Sequence, residues 1–238
     1  MTTRRRGFTV ALIGPDGAGK TSVARGLAAA LGRPVSYLYM GVSADSSNSL
    51  LPTTRIAHAL KRRRGAAPDT RGPRDHHELS GERRRGRRRA VGALRASLRL
   101  ANRLAEEWSR QARAWALVRR GWVVVFDRHF FADYYAYDIA GNGARPLSRR
   151  LHGLLLARLY PRPDLTIYLD APADVLLERK GEGTAELLER RRVDYLQLAQ
   201  VLERFVVVDA TKPLEEVTRD VAAHVSRFAE NAATASPR

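Results

Sequence analysis

The sequence has no cysteine, and its four lysines (Lys20, Lys61, Lys180, Lys212) stand beside thirty-eight arginines. Without cysteine there is no disulfide scaffold and no thiolate metal site. That agrees with a reducing compartment, so a cytoplasmic location is the expectation. Long apolar runs are also missing. No stretch reaches the ~20 residues of a transmembrane helix, so no membrane span is expected. The basic start Met1–Gly7 leads into a short apolar run closed by glycines, which reads as a first strand and not as a signal peptide. Acids are scarce, and the net charge is +17. Such a surplus fits nucleic acid, anionic lipid or phosphorylated small molecules as partners. A compositional preference for arginine explains it equally well.

What is present is a globular composition, 44% hydrophobic over 238 residues, enough for one buried domain with room for an insertion and a tail. Phe8–Ile13 is an apolar run ending in glycines and reads as a buried strand. Lys20–Leu31 is Ala-rich and helical, and Val35–Met40 is a second strand, so the chain opens with a βαβ unit. In Ala90–Arg120, Leu94, Leu98, Ala101, Leu104, Trp108, Ala112 and Trp115 recur at three- and four-residue steps, which predicts one long amphipathic helix. Trp122–Phe126, Leu165–Leu169 and Phe205–Val208 read as three further strands. Leu147–Leu159, Pro172–Arg179, Ala185–Leu202 and Leu214–Glu230 read as helices. Strands alternating with helices predict a doubly wound α/β fold with five parallel strands. Residues 231–238 read as a frayed tail.

Gly14-Pro15-Asp16-Gly17-Ala18-Gly19-Lys20-Thr21 fits G-x-x-x-x-G-K-[ST] in full. Glycines let successive backbone N–H groups curl toward one anion, and the helix that follows directs its N-terminus at the same point. Lys20 supplies a point charge for the β- and γ-phosphates, and the Thr21 hydroxyl a ligand for Mg²⁺. The expected cofactors are therefore ATP and Mg²⁺. Val123–Asp127 is a buried strand ending in a carboxylate. P-loop proteins place such an acid beside the metal shell. Arg128 follows at the strand's C-terminal end, where an α/β sheet binds ligands, and its fork suits a pair of phosphate oxygens. A surface ion pair is the plainer reading of Arg128. Tyr134, Tyr135 and Tyr137 line an acceptor pocket or pack the core. The pair His76-His77 lacks companions at metal-ligand spacing and reads as solvated.

Three separated pieces resemble thymidylate kinase and its P-loop nucleoside monophosphate kinase relatives. They are Gly14–Ser22; Asp127-Arg128-His129 with Ala136-Tyr137; and Pro163–Pro172 with the basic stretch after it. The resemblance implies a three-layer α/β/α P-loop domain over residues 1–238, with 180–192 a lid; the Arg-rich composition of 61–89 marks that stretch as an inserted segment. It implies that Gly14–Ser22 and Arg179 hold ATP, that Asp16 sits near the acceptor, that Asp127 joins the metal shell and that Arg128 holds the acceptor phosphate. Ala18 stands where some relatives carry a catalytic arginine. Relatives without it supply one from the lid, which here means Arg190, Arg191 or Arg192. Gly181 and Gly183 are candidate hinges. The implied reaction is phosphorylation of a nucleoside monophosphate, dTMP first, and relatives of this kind are often homodimers.

The acceptor half departs from that family. Met40–Ser46 replaces an acidic-Pro-Gly-Gly stretch, and Ala105–Arg110 stands near an expected Arg-Ala-Gln. A nucleoside, a sugar or another metabolite is therefore an alternative acceptor. A non-catalytic nucleotide-binding protein is a further alternative. It would dock on an anionic surface through Lys61–Arg89, which holds 12 basic residues against 4 acids. That segment has no aromatic interleaving for base stacking.

Overall fold

A computed structural model of the chain describes residues 6–41, 51, 87–140, 147–181 and 183–234. Five short, β-branched-rich runs form one all-parallel sheet: β1 (Phe8–Ile13), β2 (Val35–Tyr39), β3 (Val123–Asp127), β4 (Leu165–Asp170) and β5 (Phe205–Asp209), in the order β2-β3-β1-β4-β5. Helices cover both faces, so the inner strands are mostly apolar and buried on both sides instead of alternating. All six residues of β1 and all five of β3 are buried.

The two faces bury different partners. Val10, Leu12, Val123, Val125, Ile167 and Leu169 pack under α1 (Lys20–Ala30) and the C-terminal helix Leu214–Thr234. That last helix buries Val217, Val221, Ala222 and Val225, a stripe at helical spacing. Ala11, Ile13, Val124, Phe126 and Tyr168 form the opposite core. Over this face lie α2 (Arg87–Arg119), α3 (Phe130–Tyr134), a π-helical turn (Tyr135–Ile139) and α4 (Leu147–Arg158). At the bottom of the sheet the Asp164 carboxylate accepts from Thr9 N (2.8 Å) and Thr9 Oγ1 (2.7 Å), stapling β1 to the start of β4.

The five parallel strands and the α/β class match the expectation, and each strand starts or stops within a residue or so of where the pattern placed it. Three local readings need correction. The last helix runs to Thr234, so residues 231–234 of the expected frayed tail are helical. The helix expected over Ala185–Leu202 stops being α-helical at Leu196: α6 is Ala185–Leu196 and Gln197–Gln200 is a tighter 3₁₀ turn, with α5 (Ala173–Lys180) before it and α7 (Leu214–Thr234) after. The long helix starts at Arg87, so Arg87–Arg89 belong to it; the rest of the expected insertion 61–89 lies outside the described residues.

The same helix holds the largest surprise. The apolar stripe read from its periodicity is not the buried one. Leu94 and Leu98 are each 61% exposed, and Trp108 and Trp115 lie partly open. The buried stripe over these turns is Glu106, Glu107, Arg110, Gln111 and Ala114.

The strand order reverses at β1, with β3 and β2 to one side and β4 and β5 to the other. A crevice at the C-terminal ends of β1, β3 and β4 follows from that switch. Register sets Leu12 beside Asp127, Tyr39 beside Asp127, and Asp170 beside Asp209 along this edge.

Candidate functional site

The loop Gly14–Gly19 leaves β1 at this edge. Gly14, Gly17 and Gly19 have φ of 147°, 92° and 82°, which side chains other than glycine rarely adopt. A Cβ on Gly14 would sit 2.7 Å from the Leu169 carbonyl, whereas one on Gly19 would meet nothing within 4 Å. The loop is thus packed against β4 on one side and open where α1 begins. Lys20, the first residue of α1, is buried and donates to Gly14 O (2.9 Å) and Pro15 O (2.7 Å). Burial and the nearby Arg128 charge lower its pKa to about 8, against the opposing pull of Asp16, Asp127 and Asp133. Pro15 and Ala18 are buried, and Ser22 is exposed.

Thr21 and Asp127 come together across 106 residues of sequence, with Thr21 Oγ1 donating to Asp127 Oδ2 at 2.5 Å. Tyr37 on β2 donates to the same oxygen at 2.9 Å. Burial, with Asp127 beside it, pushes the Tyr37 phenol well above the usual tyrosine range. Tyr37 went unnoticed in the sequence because it sits mid-strand; only the β2–β3 pairing brings it to Asp127.

Arg128 follows β3 with φ 71°, the one non-glycine positive φ among the described residues. Its guanidinium forms an ion pair with Asp16 of the glycine loop. Burial weakens that charge, but Asp133, Asp16, Tyr195 and Tyr39 outweigh it and hold the group firmly protonated. Asp16 in turn is shared. Arg191 approaches its other oxygen at 3.6 Å, and Lys20 lies 4.0 Å away. Burial disfavours the Asp16 carboxylate, yet Arg128, Lys20, Lys180 and Arg191 together hold its pKa well below the ordinary range.

The three consecutive arginines of α6, Arg190–Arg192, separate by position. Arg191 reaches the glycine loop. Arg192 forks onto Asp170 at 2.7 and 2.9 Å, and Arg190 is exposed. Arg179 donates to Ala210 O (2.7 Å) and Thr211 O (3.2 Å) in the turn after β5. Gly181 closes α5 in the left-handed conformation, and Thr184 caps α6 through Leu187 N. Of the three tyrosines, Tyr134 is buried against His152 in an edge-on contact, and Tyr135 packs on Phe131. The side chain of Tyr137 lies outside the described residues.

These groups fit a nucleoside triphosphate with a hard divalent cation. The loop opens at Gly19 beside a buried ammonium, and one hydroxyl and one carboxylate converge beside it. Among the described residues no cluster of three or more His, Cys, Asp or Glu could cage a metal. A cation here would complete its shell with phosphate oxygens and water, as Mg²⁺ does.

A family model described as Thymidylate kinase matches residues 92–221, more than half of the chain. The chain belongs to the thymidylate kinase family. Two curated relatives align with it. One is described as "Probable thymidylate kinase" from Archaeoglobus fulgidus, 36% identical over 117 residues, covering 47% of this chain and 57% of that protein. The other is a "Thymidylate kinase" from Shewanella sp. (strain ANA-3), 33% identical over 123 residues, covering 48% and 57%. The chain thus spans little more than half the length of the curated relatives it matches. The family match includes Asp127, Arg128, Asp170 and Arg190–Arg192, while the loop Gly14–Thr21 lies before it.

Proposed function

We propose that this chain is an ATP- and Mg²⁺-dependent phosphotransferase that moves the γ-phosphoryl group to a nucleoside monophosphate, with dTMP the first acceptor to test. The observation that carries the reading is the meeting of Lys20, Thr21, Asp127, Arg128 and Asp16 at one crevice, in a chain of the thymidylate kinase family. Bound there, Mg²⁺·ATP supplies the transferable phosphoryl group and part of the charge neutralisation. Lys20 and the N-terminus of α1 hold the phosphate oxygens, and the Thr21 hydroxyl and Asp127 hold the metal shell. Arg128 holds the anionic acceptor. Arg191 stabilises charge on the transferring group, since it alone of Arg190–Arg192 reaches the glycine loop. Catalysis is then positioning and fixed charge, with no covalent intermediate on the protein.

A second reading keeps the donor and changes the acceptor to a nucleoside, sugar or other metabolite. It is favoured by the state of Ala105–Arg110. Glu106 and Arg110 are buried against each other, and most of their polar atoms are engaged: Arg110 Nη1 donates to Gly41 O (2.9 Å) and Tyr39 O (3.3 Å), Arg110 Nη2 meets Glu106 Oε2 (3.4 Å), Leu51 N donates to Glu106 Oε1 (2.9 Å), and Arg110 Nε alone of these is buried without a partner. A segment so occupied has little left to offer a nucleobase.

The exposed stripe on α2 supports a homodimer as the assembled form in the cytoplasm. Anionic-surface docking through residues 61–89 concerns a segment almost wholly outside the described residues.

An acceptor screen for ADP release, beginning with dTMP, tests both readings. Lys20→Ala is expected to lower kcat by about a thousandfold or more, the scale of removing a charge that acts on the transition state. A Lys20→Ala protein that turns over like the parent sinks the kinase reading. Turnover restricted to acceptors lacking a phosphate moves the assignment to the second.

A further inference from the structure

Tyr37 stands on β2 two residues before the register partner of Asp127, and its hydroxyl donates to Asp127 Oδ2 at 2.9 Å. The Thr21 hydroxyl donates to that same oxygen at 2.5 Å. The two donors belong to different elements, one to β2 and one to the first turn of α1. The Tyr37 ring packs against the core under α1, and its hydroxyl leans along the strand toward the crevice.

The backbone of Asp127 is already fixed. Its carbonyl accepts from Met40 N at 2.9 Å, and the next amide, Arg128 N, donates to Leu12 O at 3.0 Å. What stays soft is rotation of the carboxylate about its last bond, because such sp³–sp² torsions have broad minima. A single hydrogen bond would leave that rotation hinged on the Thr21 hydroxyl, which is itself a rotor. Two donors meeting one oxygen, from β2 and from α1, fix which oxygen faces Thr21. The orientation matters because a hydroxyl has one hydrogen to give and two lone pairs to offer. While the Thr21 hydrogen goes to Asp127 Oδ2, the lone pairs are left for a cation, and their direction follows from where Oδ2 lies. Strand β4 gives a contrast. There the Tyr168 hydroxyl donates to Asp170 Oδ1 at 3.0 Å, also two residues along the strand, but that carboxylate is forked by the Arg192 guanidinium at 2.7 and 2.9 Å. An acid neutralised in this way has little left for a cation, whereas Asp127 meets a neutral hydroxyl.

We propose that Tyr37, acting through Asp127, is a positioning residue for the divalent-cation site: it fixes the carboxylate that aims the Thr21 hydroxyl. Groups behind the ligands of a metal site orient those ligands, and their loss weakens the metal. The inference rests on the nucleotide and metal half of the reading above and is independent of the acceptor.

Tyr37→Phe removes the hydroxyl and keeps the ring in the core. Calorimetric titration of the full-length parent and variant with the non-hydrolysable nucleotide AMP-PNP, once in EDTA and once with MnCl₂, separates the metal from the fold. In EDTA the two should bind alike, within about twofold, while the tightening that Mn²⁺ brings should fall about tenfold in the variant, the scale of losing a group behind a metal ligand. Tyr168→Phe, which removes the matching phenol on β4, should keep the parent's tightening. The double variant Thr21→Ala with Tyr37→Phe should lose less than the product of the two single losses, since the hydroxyl that Tyr37 aims is gone. Unchanged tightening in Tyr37→Phe overturns the proposal. So does a loss of equal size with and without Mn²⁺, or an equal loss in Tyr168→Phe, since either marks the bond as general support for the fold. Losses that multiply in the double variant overturn the path through Thr21. A parent whose affinity for AMP-PNP ignores Mn²⁺ defeats the Mg²⁺ reading and this inference with it. A parent that tightens with Mn²⁺ but turns over no acceptor, with the loss confined to Tyr37→Phe, upholds the positioning role and defeats only the phosphotransferase reading.

Discussion

The ring of His129 lies 5.5 Å from Phe126 and 5.6 Å from Tyr160, and neither of its nitrogens has a hydrogen-bond partner. Burial alone lowers its pKa to about 3, so in the fold it is a neutral aromatic spacer. The sign of its pH effect follows. The folded pKa is below the unfolded value of 6.5, so the unfolded chain binds a proton that the fold refuses as pH drops. Stability is intact above about pH 6.5 and is lost toward pH 3, at up to about 1.4 kcal/mol per pH unit. His129→Phe should flatten the acid limb of stability measured by urea unfolding between pH 6.5 and pH 4, and add about 1 kcal/mol at pH 7 by removing an unpaired polar ring. An acid limb as steep as the parent's would show that His129 does not stay neutral. At this scale the phosphate-loop residues were legible in the sequence, because their spacing is local. Tyr37 was not, because it acquires its role from a partner on another element.

Between elements, α2, α4 and the π-helical turn are tied by a buried ionic clasp. His152 on α4 faces Asp138 of the π-helical turn through Nδ1 (2.9 Å) and Glu107 of α2 through Nε2 (2.9 Å), and Arg149 pairs with Asp138 at 3.1 Å. The close approach is steric as well. A Cβ at Gly153 would fall 1.8 Å from the Asp138 carbonyl, so α4 and the turn can touch only at glycine. Burial alone would neutralise His152, but hydrogen bonds to Asp138 and Glu107, and the Glu107 charge, raise its pKa. Its effect therefore runs opposite to that of His129. The stabilisation is full below the unfolded pKa of 6.5 and declines as pH rises through the folded value. His152→Phe should cost about 3–5 kcal/mol in urea unfolding at pH 6, because two buried carboxylates lose their shared cation. The deficit should narrow as pH is raised, and a deficit independent of pH would mean that His152 is neutral in the fold. The clasp explains why the inner stripe of α2 is polar, which no periodicity could announce.

At the scale of the whole molecule, that inversion leaves an apolar seam outside. Leu94, Leu98, Ala101, Ala105, Trp108, Ala112 and Trp115 are all exposed, at alternating steps of four and three, the repeat with which one helix packs against another. Trp108 and Trp115 contact each other at 6.1 Å, a ready centre for an interface. The full-length protein should sediment as a dimer. The double variant Trp108→Glu and Trp115→Glu should weaken self-association about a hundredfold or more while the thermal midpoint changes little. A parent protein that stays monomeric at high concentration removes the seam as a dimer surface.

The strands, most of the helices and the glycine loop were determined by the sequence alone, because each is written in short-range terms: apolar runs of strand length, helical periodicity, and glycines where the backbone must turn. Which stripe of α2 lies inward, which of Arg190–Arg192 meets the glycine loop, and that Arg128 pairs with Asp16 of that loop were decided only by the tertiary structure. Those outcomes depend on what stands opposite each side chain: a buried His152 for Glu107, and Asp16 for both Arg191 and Arg128. Burial makes such pairings compulsory, since a charge taken out of water must find its counter-charge wherever the fold has placed one.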